Sequence, residues 1–467
     1  MKSEKLQNAI GGIDPDLIAK SEQPLRKKRE HRIVSAIAAM LVLAIGIGIL
    51  FWNPGYFDDT VYAGDMLAVY PTTVPYAEYL TDPEGYDAWR KDQEKKWEYF
   101  GEAENMESFI KVTAAELLSG EGENIVYSPL NVYIALAMLA ETTDGDTRKQ
   151  LLNLLDASDI EVLRKRANTL WNANYNDDGL TSSILASSLW MNEKYSFYKE
   201  TLEILRDNYY ASSYQGNMGS KKFEDALHAW LNEQTRGLLS DQIEELALSQ
   251  DTILAIATTV YFQANWHDPF SKKNTEKGVF HGTAGDTETD FMHQAYVGSY
   301  YQGGNFSAVA KSMKGSGNMW FILPEEGVSV NELLENQEAL SFLGKSDTFS
   351  NQEAGIDLSV PKFEVSSKLD LKEALKNLGV TDCFDPSRSD FSPLITGEDD
   401  IYVGKIDHGA LVSIDENGVE ATAYTFLPMY GTSSNKITVK FTADRPFLFV
   451  ITGEDGTVMF IGVVNQM

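Results

Sequence analysis

The chain has a single cysteine, Cys383, among its 467 residues, so it cannot close a disulfide within itself and must be held by packing. That cysteine stands in LGVTDCFDP, between an apolar run and a turn, which favours a buried structural thiol over a reactive one. Basic residues are also scarce, since 39 Lys and Arg oppose 69 Asp and Glu and give a net charge of -30. Nucleic acid and anionic lipid would repel the bulk of such a chain, so neither is expected to bind it.

Motifs for catalysis and metal binding are missing as well. The six histidines form no HExxH pair, and none stands at metal-ligand spacing with the cysteine. No GxSxG, Walker or dinucleotide motif occurs, and the GSG at residues 315–317 belongs to a Lys/Gly-rich turn. Acidic pairs such as Asp399 and Asp400 are typical of a solvated surface in a chain this acidic. The sequence therefore predicts a protein that is not an enzyme and holds no metal or cofactor.

The hydrophobic content is 43%, enough for a large core, and no internal repeat or low-complexity segment is found. Apolar residues have helical spacing at residues 107–120, 131–143 and 147–155, and β character at 182–192, 253–266, 319–324 and 355–365. The two kinds of segment interleave without a regular βαβ period. Residues 101–467 are therefore predicted to form one α+β domain with large antiparallel sheets.

The N-terminal region contains one long apolar run. A basic stretch, RKKREHR, is followed by 20 uncharged residues, Ile33 to Trp52, which is the length of a helix that crosses a bilayer. The basic flank is expected to remain inside. The sequence thus predicts a cytoplasmic tail (1–32), a signal-anchor helix in the cell membrane (33–52) and an extracellular remainder.

A secreted protein, released by cleavage of a signal peptide, is the alternative to this anchor. The small-residue site at residues 61–63 lies far beyond the apolar run, which favours the retained anchor. Residues 53–100 have turn formers and proline in their first half and a charged, helix-prone second half. They are predicted to be a stalk.

Five blocks between Met106 and Met467 resemble the serpin family of protease inhibitors, in the family's order. They are NIVYSPLNVYIALAMLAE, WLNEQTRGLLSDQI, VYFQANWHDPF, MWFILPEEG and FTADRPFLFVI. The resemblance implies a serpin fold, in which three β-sheets are surrounded by about eight or nine helices. It also implies an exposed reactive-centre loop, here at about residues 416–438, and a monomeric inhibitor.

In serpins the segment after Glu-x-Gly inserts into the main sheet as a new strand once a target protease has cut it. By resemblance the hinge begins at Glu416 and Gly418, and the cut falls between Thr432 and Ser433, or one residue later at Ser433-Ser434. Small or apolar residues alternate along one face of the first half, which suits insertion. The hinge residues are Glu416, Gly418, Val419, Glu420, Ala421, Thr422, Ala423 and Thr425. Tyr424 falls on the outward face, and Pro428 would remove one ladder hydrogen bond.

Further positions carry over from the family to the region where the sheet opens: Ser128, Asn131, Thr258, Trp266, Lys362 and His408. Lys362 is expected to pair with Glu416 as an exposed ion pair worth roughly 0 to 1 kcal/mol. Asn131 stands where the family has serine, and Thr258 where it has asparagine. An amide and a hydroxyl are thus exchanged, and either could satisfy a buried imidazole at His408.

The resulting prediction is a membrane-tethered, single-use inhibitor that traps serine proteases as acyl-enzymes. The small neutral residues at the loop tip suit elastase-like or subtilisin-like proteases and leave the acidic pocket of trypsin-like enzymes unpaired. A papain-like cysteine protease is a further candidate target. The alternative function is a non-inhibitory surface binding or adhesion module on the same fold, which only the composition of the hinge opposes.

Overall fold

A computed structural model describes residues 66–120, 122–243, 246–349, 352–395, 401–419 and 438–467. The α-helices in these residues are α1 (Pro83–Lys96), α2 (Glu107–Leu117), α3 (Pro129–Glu141), α4 (Gly145–Leu154), α5 (Ile160–Asn174), α6 (Lys199–Tyr209), α7 (Lys221–Gln234), α8 (Ser240–Ile243), α9 (Val330–Leu334), α10 (Gln337–Lys345) and α11 (Lys372–Asn377). The strands are β1 (Ile125–Tyr127), β2 (Asn176–Asp177), β3 (Thr181–Asn192), β4 (Ala211–Gly216), β5 (Leu254–Asn265), β6 (Thr275–Gly282), β7 (Gly285–Gln302), β8 (Phe306–Ser312), β9 (Asn318–Pro324), β10 (Gln352–Pro361), β11 (Phe363–Asp370), β12 (Asp407–Ile414), β13 (Gly418–Val419), β14 (Thr438–Thr442), β15 (Phe447–Thr452) and β16 (Val458–Val464).

The strands form two hydrogen-bonded sheets. The first has the order β11-β12-β13-β5-β3-β2, with β4 also paired to β3; the second has the order β1-β16-β15-β9-β8-β7-β10-β14, with β6 also paired to β7. Most of β7 pairs with β6 and β10, and only its last three residues, Tyr300–Gln302, pair with β8. The second sheet therefore has two parts that meet at the end of β7. Counted separately, they give the three sheets that were predicted, and the α+β class is confirmed.

Helix α3 packs between the two sheets. It begins where the Ser128 hydroxyl accepts a hydrogen bond from the Asn131 N–H (3.2 Å), with Pro129 in the first turn, a favourable start for a helix. Nearly all of its side chains are buried because it packs against both β5 and β16, one strand from each sheet. Cys383 is fully buried too, and burial raises the pKa of its thiol to about 12, as expected for a structural cysteine.

The segment predicted to be a stalk packs on the domain over residues 66–100. Its Met66 carbonyl accepts a hydrogen bond from the Ser213 N–H on β4 (3.1 Å), and the Tyr70 ring stacks on Trp171 (5.8 Å between centroids). Further along, Trp89 of α1 donates to the Asp178 carboxylate (2.7 Å). The compact domain therefore includes residues before the predicted boundary at residue 101. Residues 66–100 are therefore not a free spacer, because aromatic and polar groups of the domain contact them.

None of the helices within the described ranges is long and apolar enough to cross a bilayer. The predicted tail (1–32), signal-anchor helix (33–52), first part of the stalk (53–65) and alternative cleavage site (61–63) lie outside those ranges.

Candidate functional site

The hinge of the predicted loop is a tight turn between β12 and β13. The Asp415 N–H donates to the Gly418 carbonyl (3.0 Å), and the Asp415 carboxylate accepts from the N–H groups of Asn417 (2.7 Å) and Gly418 (3.2 Å). An aspartate that bonds the backbone two and three residues ahead is typical of turns. The sequence DENG thus folds the chain back at the end of β12, as its composition indicates.

After the turn, β13 lies between β12 and β5. Val419 pairs with Ile414 of β12 on one side and with Ala264 of β5 on the other, and Gly418 pairs with Asn265. Among the described strands, β5 and β12 have no ladder with each other, so these two residues of β13 are their only link within the sheet. The first step of a strand between β5 and β12 is therefore already formed.

Gly418 is required at this point because the backbones approach closely. A β-carbon on Gly418 would overlap the Ala264 carbonyl oxygen and would lie 2.7 Å from the Asn265 α-carbon. No side chain can be accommodated without moving β5.

Glu416 is held by an ion pair and a hydroxyl. The Lys362 ammonium lies 2.7 Å from its carboxylate, and the Thr275 hydroxyl donates to the same oxygen (2.8 Å). Burial alone would raise the pKa of Glu416, but these two hydrogen bonds hold it below its usual value. The predicted pair is thus present, but the prediction that it is exposed was wrong, since only 5% of the Glu416 side chain is exposed.

The segment from Trp266 to Phe270, which follows β5, covers the hinge turn. The Trp266 N–H donates to the Asn417 carbonyl (2.8 Å), and the Phe270 N–H donates to the Glu416 carbonyl (2.9 Å). The Trp266 indole N–H donates to the Asp415 carbonyl (2.9 Å). Trp266 is fully buried, so it is a core residue and a hinge contact at once.

Six residues before Ile414 on β12, His408 lies next to the start of α3. Its Nε2 accepts a hydrogen bond from the Ser128 N–H (3.0 Å), and burial lowers the pKa of the imidazole to about 4. Asn131 and Thr258 bond to each other: the Thr258 hydroxyl donates to the Asn131 side-chain oxygen, and the Asn131 amide donates to the Thr258 carbonyl (3.3 Å). The exchanged amide and hydroxyl therefore pair with each other, while backbone supplies the partner of the histidine.

The structure thus brings the six predicted sheet-opening residues to two places, the hinge and the start of α3. The reasoning from sequence missed Thr275 and the N–H of Phe270. Thr275 could have been suspected as the lone hydroxyl in the charged stretch KKNTEK. Predicted residues outside the described ranges are Glu420, Ala421, Thr422, Ala423, Thr425, Thr432, Ser433 and Ser434. Within the described ranges, no cluster of three or more His, Cys, Asp or Glu residues could hold a metal ion.

Comparison with known proteins gives consistent matches. The family model described as Serpin (serine protease inhibitor) matches residues 106–467. A serine proteinase inhibitor of Cavia porcellus is 30% identical over 361 residues, which cover 73% of this chain and 83% of the relative. An uncharacterized serpin-like protein of Thermococcus kodakarensis is 28% identical, and the match covers 92% of this chain and 98% of the relative.

A solved structure, the thermophilic serpin tengpin in the native state, shares the fold. Its TM-score is 0.71 at 23% sequence identity, and the match covers 86% of this chain and 98% of that chain.

Proposed function

Because this chain belongs to the serpin family, we propose that it is a single-use inhibitor of serine proteases. In this proposal a target protease cuts the loop, and the loop then inserts between β5 and β12 while the protease is still attached as an acyl ester. The observation that carries the proposal is that the short strand β13 already pairs with β5 through Gly418 and Val419 and with β12 through Val419.

The register of these pairs predicts the partners of the inserted strand. Both pairings are antiparallel, so the register continues in reverse along β5 and β12. Residue 420 of the loop would pair with the residue before Ala264 on β5 and with the residue before Ile414 on β12, and so on along the loop. Ala421 would then lie opposite Phe262 and Val412, both buried, so its small side chain meets a core surface. A charge at this position would oppose insertion.

The same register places Thr425 opposite Thr258 and His408, beside the start of α3. The side chain of Thr425 would enter next to the Asn131–Thr258 pair, so a small polar residue suits the position better than a large or charged one.

The length of the loop also suits this register. Met429 would lie opposite Leu254, the first residue of β5, so the new strand could pair with the whole of that strand. Pro428 would pass the end of β12 at Asp407, where its missing N–H removes no hydrogen bond to β12.

The proposed cut lies at Thr432-Ser433, or at Ser433-Ser434 if the register differs by one. Both bonds present a small neutral side chain, which suits the shallow pocket of elastase-like or subtilisin-like proteases. A cysteine protease of the papain type is a further target in the proposal.

We place this inhibitor at the cell membrane, with residues 33–52 crossing the bilayer and the serpin domain outside. The support is the 20-residue apolar run with its basic flank, and the alternative is secretion after cleavage. Membrane fractionation and mass measurement of the mature chain distinguish the two. A mature protein that starts beyond residue 52 and is found in the medium would contradict the anchor.

The inhibitor proposal is tested by mixing the full chain, in detergent, with pancreatic elastase, subtilisin and trypsin. A complex that survives denaturation, with a released peptide that begins at Ser433 or Ser434, is expected for elastase or subtilisin. Cleavage in the loop with the protease left fully active would refute trapping. That outcome would favour the alternative, a non-inhibitory binding or adhesion module on the same fold.

A further inference from the structure

Lys311, on β8, is a buried lysine with an unusual set of neighbours. It is 2% exposed, and lysine is seldom buried so completely without partners. Its ammonium donates to the Asp268 carbonyl (2.7 Å) and to the side-chain oxygen of Gln294. The ring centroids of Phe270, Tyr296 and Trp266 lie 4.4, 5.1 and 5.6 Å from the same nitrogen. Three aromatic rings and two oxygens therefore surround one cation.

This cluster is connected to the hinge through the segment Trp266–Phe270. The N–H groups of Trp266 and Phe270 donate to the hinge turn, while the Asp268 carbonyl between them accepts from the Lys311 ammonium. Gln294 of β7 also fixes the position of Asp268, since its amide donates to the Asp268 carboxylate (2.8 Å). Displacing Asp268 would therefore also displace the donors that hold the hinge carbonyls.

Packing alone does not account for a lysine here. Burial lowers the pKa of the Lys311 ammonium to about 7, an effect that the nearby Asp268 carboxylate opposes only in part. Methionine has a similar length and would fill the same space among aromatic rings without the cost of burying a charge. Methionine would lack the two hydrogen bonds that the ammonium donates, to the Asp268 carbonyl and to Gln294.

We propose that Lys311 is a positioning residue for the loop hinge. By holding the Asp268 carbonyl, it keeps the N–H groups of Trp266 and Phe270 directed at the hinge turn, so that β13 stays paired and ready to extend. The part of this inference that concerns insertion rests on the proposed inhibitory function, whereas the part that concerns the hinge does not.

The hinge part is tested by hydrogen–deuterium exchange in the uncleaved full chain. In Lys311→Met, amides in residues 266–270 and 415–419 are expected to exchange at least tenfold faster, with little change elsewhere. Lys277→Met is the matched control, because Lys277 is an exposed lysine on β6 that pairs with Asp290 (2.9 Å) and should leave the hinge unchanged. Unchanged exchange at the hinge would overturn the proposal, and so would a uniform increase over the whole domain.

The insertion part is tested with a protease that the wild-type chain traps. Lys311→Met should be cut in the loop within twofold of the wild-type rate, yet require severalfold more inhibitor per protease trapped. An unchanged ratio would overturn this role of Lys311. If Lys311→Met fails to fold, Gln294→Met removes one acceptor of the cation and should act in the same direction in both assays. A wild-type chain that traps no protease would sink the proposed function, and the exchange assay would still decide the hinge part.

Discussion

Replacing Ala421 with glutamate is expected to turn the inhibitor into a substrate. The register of β13 places residue 421 opposite Phe262 and Val412, which are 5% and 2% exposed. A glutamate inserted there would lie among buried apolar side chains. It would have to be buried as a charged carboxylate or else become protonated.

The size of the effect follows from the cost of protonation. Neutralising a carboxyl of pKa about 4.3 at pH 7 costs roughly 4 kcal/mol. If half of that cost is felt while the strand is being inserted, insertion slows by about 25-fold. Release of the protease by hydrolysis of the acyl ester would then overtake trapping for most molecules.

The assay counts inhibitor molecules consumed per protease trapped. Thr422→Glu is the matched control, because residue 422 would lie on the other face of the strand, which already carries Glu420 in the sequence. Its neighbours there would be the half-buried Leu411 and the buried Tyr261, and the Arg236 guanidinium lies over the Tyr261 ring (4.9 Å), where a positive charge favours a carboxylate. We expect a near-normal ratio for Thr422→Glu and a ratio raised at least tenfold for Ala421→Glu.

Equal ratios for the two variants would refute the proposal that residues 421 and 422 lie on opposite faces of the inserted strand. A raised ratio for Thr422→Glu alone would mean that the loop inserts one residue out of the predicted register, since such a slip exchanges the two faces.

Three further outcomes are expected. Gly418→Ala should unpair β13, because its β-carbon would overlap the Ala264 carbonyl; exchange at residues 415–419 would rise, and unchanged exchange would contradict the close approach. Tyr70→Ala should lower the free energy of unfolding by about 2 kcal/mol, measured with denaturant, while the exposed Tyr79→Ala changes little; equal effects would contradict the docking of residues 66–100. His408 should make the domain less stable as pH falls from 6.5 towards 4, because in that window the unfolded chain binds a proton that the folded chain, with a pKa of about 4, does not. The loss is about 3 kcal/mol, and a His408→Gln variant with the same pH dependence would contradict it.

Local features of the domain could be predicted from sequence. Helix α3 was indicated by apolar spacing after Ser128 and Pro129, and β3, β5 and β9 were indicated by β-branched and aromatic residues between turns. In each case neighbouring residues carry the signal, so one stretch of chain is enough to reveal it.

Features that depend on distant residues were missed. The burial of Glu416 comes from Thr275 and the Trp266–Phe270 segment, about 140 residues earlier in the chain. Tyr70 lies in a segment that forms neither a helix nor a strand, and its partner Trp171 is on α5, so the composition of that segment indicated only a spacer. Lys311 interrupts an apolar strand, yet nothing local shows that Asp268 and Gln294 receive its ammonium.

The docking of residues 66–100 bears on how far the inhibitor could reach. If residues 33–52 anchor the chain as proposed, only residues 53–65 remain between the membrane and Met66. Thirteen residues span at most about 45 Å when fully extended. The domain would be confined to a layer set by this length of tether, and its local concentration there would far exceed that of a freely diffusing inhibitor. Proteases that touch the cell surface would meet it often, while those acting further away would escape it.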